Sequence, residues 1–280
     1  MFAKNLNSVK IAIQGGLGSF HHQAASMLFD GDSYEILDKD HFRGVAEALV
    51  KGECTYGLIA LENSIAGCIL PNYNLIKNND LKIVGELYMP IEHHLMVIPG
   101  VKIEDLSEIY SHSMALLQCE DFLNQHPKIR RIDYVDTANS AKKIKTEDLH
   151  HAGAIGSKVA AELYGLEIIN PAIQSNKDNY TRFVLLSREL PDNQDFNKIS
   201  LRFSLPHQKG SLANILMQFA VHGFNMTKIQ SMPIVDMPWQ YEFYVDVIVH
   251  HHERFAKVLD IIQLMAEDIE ILGKYKNGNL

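Results

Sequence analysis

Val9-Lys10-Ile11-Ala12-Ile13-Gln14-Gly15-Gly16-Leu17-Gly18-Ser19-Phe20 is the stretch on which the reading of the first 190 residues turns. Val9–Ile13 is short, apolar and rich in β-branched side chains, as a buried strand requires. Glycines end it, and beyond Ser19 the residues Phe20, Ala24, Met27 and Leu28 recur at helical spacing. The same strand–turn–helix order then repeats. Tyr34–Leu37 is predicted as a strand and His41–Lys51 as a helix, with Phe42, Val45, Ala46 and Leu49 on one face and Gly52 just past its end. Tyr56–Leu61 is a strand running straight into Glu62-Asn63-Ser64.

An extended stretch follows from Leu81 to Ile98, broken at Pro90. After it come a helix around Leu116–Leu123, a strand Ile132–Val135, a helix from Thr137 and a strand Gly153–Ile155. A helix Lys158–Tyr164, stopped by Gly165, precedes strands at Leu166–Ile169 and Phe183–Leu186. Alternation of this kind predicts an α/β fold with parallel sheets, helices on both faces and ligands at the strand C-termini.

The polar, proline-led segment Pro191-Asp192-Asn193-Gln194-Asp195 reads as a boundary. Beyond it Ile199–Leu205 alternates as a strand, and Ser211–His222 is helical with Gly223 as its stop. Strands Phe224–Ser231 and Tyr241–Val249, a helix Arg254–Glu267 and a strand Ile269–Lys274 complete β-α-β-β-α-β, a ferredoxin-like order. The exposed face of that sheet, or its edge, is expected to pair with a second copy.

Composition limits the partners. Apolar residues make up 46% and charged residues 21% of 280, which excludes intrinsic disorder. No run reaches the length of a membrane span, and the first residues lack a signal-peptide core, so a cytoplasmic protein is expected. The net charge of −8 argues against nucleic acid. Cys54, Cys68 and Cys119 cannot all pair and read as reduced thiols. Fourteen histidines, several in doublets, show no zinc spacing, so no metal is expected.

Four loops at strand ends hold hydrogen-bonding side chains: Gly15–Phe20, Glu62–Gly67, Ser111-His112-Ser113 and Asn176–Phe183. Taken singly, each reads as a turn or helix cap as readily as part of a pocket. In the last, the Thr181-Arg182 pair offers a hydroxyl and a guanidinium fork suited to a carboxylate, or to a surface ion pair. No G-x-S-x-G is present, which disfavours a covalent hydrolase.

Together the blocks resemble prephenate dehydratase over nearly the whole chain. They are Ile13–Phe20, Glu62–Gly67, Ser111–Cys119, Asp136-Thr137-Ala138, Ala154–Ser157 with Ala160–Leu166, and Asn179-Tyr180-Thr181-Arg182-Phe183. The resemblance implies a catalytic domain over 1–190 with the two-lobed fold of type 2 periplasmic binding proteins, its crossovers near 85–92 and 168–180 and its site in the cleft. It further implies an ACT regulatory domain over 196–280, marked by Gly210-Ser211-Leu212 and Asn225–Pro233. Gly16, Ser113 and Gln230-Ser231-Met232-Pro233 depart from the family's usual residues, and the last removes a charged pair near the expected effector site.

The implied reaction is the decarboxylating dehydration of prephenate to phenylpyruvate in phenylalanine biosynthesis, with no cofactor because aromatisation drives it. Thr181 is then the catalytic residue at the leaving hydroxyl. Gly18, Ser19, Asn63, Ser64, Ser111, Thr137, Arg182 and Phe183 are the expected substrate-binding residues. Gly210, Ser211, Leu212, Asn225, Gln230 and Ser231 are expected to bind phenylalanine, an allosteric inhibitor, in a homodimer or homotetramer. Two other readings share these features, an arogenate dehydratase and a non-catalytic amino-acid sensor, though a sensor has no need of Thr181.

Overall fold

The computed structural model describes residues 9–30, 33–191 and 195–278. Asp192, Asn193 and Gln194 of the expected boundary lie outside the described residues, as does the N-terminal stretch before Val9. In chain order come β1 (Val9–Gln14), α1 (Phe20–Leu28), β2 (Tyr34–Lys39), α2 (Phe42–Val50), β3 (Tyr56–Asn63), β4 (Gly67–Cys68) and α3 (Leu70–Asn78). Next are β5 (Lys82–Pro90), β6 (His94–Val97), β7 (Glu108–Ser111), α4 (Ser113–Gln118), α5 (Glu120–Asn124) and β8 (Arg130–Asp133). They lead to α6 (Thr137–Thr146), β9 (Ala152–Gly156), α7 (Lys158–Tyr164), β10 (Glu167–Asn170) and β11 (Tyr180–Ser187). The chain closes with β12 (Lys198–Ser204), α8 (Ser211–Val221), β13 (Asn225–Pro233), β14 (Tyr241–Ile248), α9 (His252–Met265) and β15 (Asp268–Tyr275).

These elements form two compact units. One is the chain up to Asn72 with Leu87–Phe183; the other is Tyr73–Glu86 with the chain from Val184 onward. The second therefore takes in more than the stretch from 196 onward, because a piece from the middle of the sequence packs into it.

The first unit has two lobes. In one, β1 lies parallel to β2 and to β3 in the order β2-β1-β3-β11. Ile11, Ile13 and Leu58 are fully buried, and Val45 and Leu49 of α2 are buried with them, so the apolar stripe read from sequence is the core face. The other lobe has the order β10-β6-β9-β7-β8 over a core that includes Leu95, Met96, Ile109, Ile144 and Ile155. This sheet is mixed, not purely parallel: β6 runs antiparallel to β9 and β10, while β7 is parallel to β8 and β9. The chain reaches β6 directly from strand β5 without an intervening helix, so nothing restores the parallel direction.

Two local readings are corrected. The helix expected around Leu116–Leu123 is two short ones, α4 and α5, meeting at Cys119 (φ −105°, ψ 18°). Helix α3 escaped the sequence reading because Pro71, Asn72, Asn74, Asn78 and Asn79 mask any apolar period. Pro71 sits in its first turn, where a missing N–H costs nothing.

In the second unit β12-α8-β13-β14-α9-β15 folds as an antiparallel sheet in the order β13-β14-β12-β15. Ile199, Leu201, Phe203, Val245 and Val247 pack one face against Ile215 and Phe219 of α8 and Phe255, Val258 and Ile262 of α9. The opposite face of β12 carries Lys198, Ser200, Arg202 and Ser204, all buried. Tyr73–Glu86 covers it. Tyr73 and Tyr244 rings lie 4.7 Å apart, Lys77 pairs with Glu242 at 2.6 Å, Lys82 with Glu270 at 2.9 Å, and Lys198 with Glu86 at 2.9 Å. The face expected to be free for a second copy is thus occupied by the protein's own chain. Lys198 finds its partner in Glu86, far back in the sequence, while Arg202 pairs with Glu242, Asp268 and Glu270 of the same sheet.

Candidate active site

A cavity of about 440 Å3 opens between the two lobes of the first unit. Five of the expected substrate and catalytic residues line it: Ser19, Asn63, Thr137, Thr181 and Phe183. Each is there for a local reason. Ser19 caps α1, its Oγ accepting from His22 N at 3.2 Å. Thr137 opens α6, whose cap Asp136 accepts from Asn139 N at 2.6 Å. The first N–H groups of each helix, at Phe20 and His21 and at Thr137 and Ala138, have no intrahelical partner. One helix N-terminus from each lobe thus borders the cavity, which suits two carboxylates.

Asn63 ends β3 and is fixed from both sides. Its Oδ1 accepts from Ile65 N at 3.0 Å and Ala66 N at 2.8 Å. Its Nδ2 donates to Asn179 Oδ1 at 2.7 Å, Tyr180 O at 3.1 Å and Thr181 Oγ1 at 3.0 Å. Because the Thr181 oxygen accepts from Asn63, its own proton remains free to be donated. Thr181 is 8% exposed at the start of β11, so that donor sits in a largely desolvated wall.

Four expected residues do not line the cavity. The Gly18 N–H is engaged with His22 Nδ1 at 3.0 Å, and its carbonyl accepts from Ser157 Oγ at 2.6 Å. At φ +91°, with Ala160 Cα 3.0 Å from where a Cβ would stand, Gly18 serves the close approach of the two lobes. Ser64 Oγ joins Asp178 O and Tyr180 N, both at 2.9 Å. Ser111 is fully buried and bonds Ile155 O at 2.7 Å. Arg182 is 3% exposed and stacks over Tyr88, its Cζ 5.9 Å from the ring centroid. It points away because adjacent strand residues alternate faces, and Thr181 and Phe183 take the cavity side.

Among the residues lining the cavity there is no lysine or arginine; its charged side chains are Asp40 and Asp136, and its polar wall also includes Gln14, His21, His93, His112 and Gln118. Sequence reading took His112 as a cap or a carboxylate partner but passed over Gln118, His21 and His93. Gln118 Oε1 lies 3.0 Å from Asn179 Nδ2 and 2.9 Å from His93 Nε2. Gln118 lay inside a quoted block, but only the folded register brings it to Asn179. His21 is wedged edge-on between Phe42 and Phe183 at 5.4 and 5.0 Å. Burial lowers its pKa to about 3 and that of His93 to about 4, so both are neutral near pH 7. Burial raises the Cys119 thiol to about 12, leaving it inert, and none of Cys54, Cys68 and Cys119 is in a disulfide among the described residues. Among the described residues no group of His, Cys, Asp or Glu is placed to hold a metal, and no helix is long and apolar enough to cross a membrane.

In the second unit a cavity of about 490 Å3 is lined by Leu205–Lys209, Ser211, Leu212, Gln240, Tyr241 and Phe243. Ser211 and Leu212 of the expected effector residues are there, and Gly210 adjoins them at φ +84° as the cap of α8. Asn225, Gln230 and Ser231 lie on β13 outside this lining.

A family model described as prephenate dehydratase matches residues 11–191. The chain is 35% identical to arogenate dehydratase/prephenate dehydratase 2 of Arabidopsis thaliana, over 97% of this chain and 74% of that one. A solved structure described as GqqA, a novel type of quorum quenching acylase, superposes with a TM-score of 0.85 and 30% identity, over 95% of this chain and 97% of that one. Prephenate dehydratase from Arthrobacter aurescens in complex with L-Phe superposes with a TM-score of 0.84 and 29% identity, over 96% of this chain and 90% of that one.

Proposed function

This chain belongs to the prephenate dehydratase family, and we propose how its cavity carries out that family's reaction and how a second site regulates it. It is an enzyme, a lyase, and its reaction converts prephenate to phenylpyruvate. The prephenate dianion and one proton give the phenylpyruvate monoanion, CO2 and water. The ring-carboxylate bond breaks toward the ring as the ring C–O bond breaks toward the hydroxyl, and aromatisation drives both.

Thr181 donates its hydrogen bond to the departing hydroxyl, while Asn63 holds the threonine oxygen from behind. A threonine hydroxyl is a weak acid, so its contribution is orientation and hydrogen-bond stabilisation, with the consumed proton coming from solvent. The two carboxylates lie at the N-termini of α1 and α6, which supply partial positive charge in a cavity without a cationic side chain. The observation that carries this reading is the Asn63–Thr181 bond, whose direction leaves one free O–H on the cavity wall. An acylase would need a base on that hydroxyl; here it meets an amide, which orients and does not activate it.

Purified protein incubated with prephenate and, separately, with arogenate tests the reading. Phenylpyruvate from prephenate is expected; phenylalanine formed only from arogenate would reassign the substrate, and no aromatic product from either would overturn the proposal.

We also propose that the second unit is an ACT domain that binds phenylalanine beside Gly210, Ser211 and Leu212, with Asn225, Gln230 and Ser231 contributed by a second copy. The place of β13 at the end of its sheet among the described residues, and the exposed Val235, Met237, Trp239 and Tyr241, support pairing there.

A further inference from the structure

The orientation of one amide propagates through three further side chains. Asn63 Oδ1 is committed to the N–H groups of Ile65 and Ala66, so Nδ2 is the face it turns toward Asn179. Asn179 must therefore offer Oδ1 to Asn63, at 2.7 Å, and its Nδ2 to Gln118, at 3.0 Å. Gln118 must then answer with Oε1, which also stands 2.9 Å from His93 Nε2. Two donors converge on that oxygen, so His93 carries its proton on Nε2. Its Nδ1 is buried without a partner among the described residues, and its backbone N–H is held by Gln174 Oε1 at 3.0 Å.

We propose that His93 is a positioning residue for catalysis: as an Nε2–H donor it holds Gln118, and through it Asn179, in the one arrangement that matches the fixed Asn63 amide and leaves the Thr181 proton free. This rests on the reading of Thr181 given above. If Gln118 lost its donor at His93, its amide could turn and present Nε2 to Asn179. Asn179 would turn in response and offer its own Nδ2 toward Asn63, whose Nδ2 already faces it. Asn63 cannot follow without abandoning two backbone N–H groups, so the conflict would displace the Asn63–Thr181 bond. The ring fits the task because burial and the edge-on Phe20, 5.3 Å away, keep it neutral and fixed.

The test is a set of full-length variants assayed with prephenate: His93→Leu, His93→Gln, Thr181→Ala and the double variant of His93→Leu with Thr181→Ala. His93→Leu is expected to lower kcat about 10- to 100-fold with KM within about threefold. His93→Gln restores a donor at the Nε2 position and is expected within about fivefold of wild type. The double variant is expected to be no slower than Thr181→Ala alone, since His93 acts through that hydroxyl. Losses that multiply, a glutamine no better than leucine, or a change confined to KM would overturn the proposal. Should His93→Leu fold poorly in thermal melts, His93→Met against His93→Gln makes the same comparison. Wild-type protein inactive on prephenate would sink the assignment of Thr181 itself, an outcome separate from any of these.

Discussion

Asn63 Nδ2 stands 3.0 Å from Thr181 Oγ1, and the threonine oxygen receives that bond. Everything proposed for the cavity depends on this direction, because a hydroxyl that accepts from the protein has its proton left for substrate. Thr181→Ala is expected to lower kcat by about two to three orders of magnitude with KM little changed, the usual loss for one transition-state donor. Thr181→Ser keeps the O–H and should retain most of the rate. Steady-state kinetics on both variants check this, and near-normal turnover by the alanine variant would remove Thr181 from the mechanism.

Acid should destabilise the protein through its buried imidazoles. His21 and His93 are held neutral down to about pH 3 and about pH 4, whereas in the unfolded chain both bind protons below about 6.5. The unfolded state therefore takes up more protons as pH falls through that window. Stability is expected to be full above about pH 6.5 and to drop by about 1.4 kcal/mol per pH unit for each histidine on the way to pH 4. His21→Phe, which suits the aromatic contacts with Phe42 and Phe183, should flatten the slope. Denaturant midpoints measured from pH 7 to pH 4.5 decide it, and an unchanged slope would refute the role of His21.

Much of this was legible in the sequence and some of it could not be. Val9–Gln14 and Tyr56–Asn63 announced themselves because buried parallel strands need no polar alternation and end in glycine or capping residues. Asn63 and Thr181 were found through their blocks. Arg182 could be read toward substrate or toward the scaffold because a two-residue motif does not say which side chain faces the cavity; only strand register does. Gln118 and His93 were invisible for a different reason. Neither makes its hydrogen bonds to a near neighbour in sequence, with partners 25 and 61 residues away. Tyr73–Glu86 looked like part of the catalytic region for the same reason, its partners lying beyond residue 197.

Phenylalanine is expected to inhibit and to bind outside the catalytic cavity, near the N-terminus of α8. Coupling of about 1–2 kcal/mol is expected, and linkage requires that a non-reacting prephenate analogue weaken phenylalanine binding by the factor that phenylalanine weakens the analogue. Calorimetry with both ligands measures the two factors. Gly210 holds φ +84°, a conformation that valine resists, so Gly210→Val should abolish the response. One-for-one competition between the two ligands would place phenylalanine in the catalytic cavity and end this reading.

A chain cut at Pro191 is expected to be markedly less stable than the full chain. The cut retains Tyr73–Glu86 but removes the sheet of the second unit that packs on it. Tyr73 loses Tyr244, Lys77 loses Glu242, Lys82 loses Glu270 and Glu86 loses Lys198. The cut also opens Glu86 to water, so its cost is the lost packing and ion pairing of the segment, set against a typical domain stability of about 5–15 kcal/mol. The Glu86–Lys198 pair, 0% exposed on both sides in the full chain, is tested on its own by substitution. Point variants of the full chain separate this from the rest of the truncation. Glu86→Ala should cost up to about 3–5 kcal/mol, because Lys198 loses the buried carboxylate 2.9 Å away. The double variant of Glu86→Gln with Lys198→Met removes both charges and should cost less than Glu86→Ala alone, which is the sign expected of a pair whose desolvation offsets most of its attraction. Denaturant unfolding of the fragment and of both variants supplies the numbers. A fragment as stable as the full chain would mean that Tyr73–Glu86 does not depend on the sheet packed against it, and a double variant worse than Glu86→Ala would mean that losing the carboxylate alone is not the costly step.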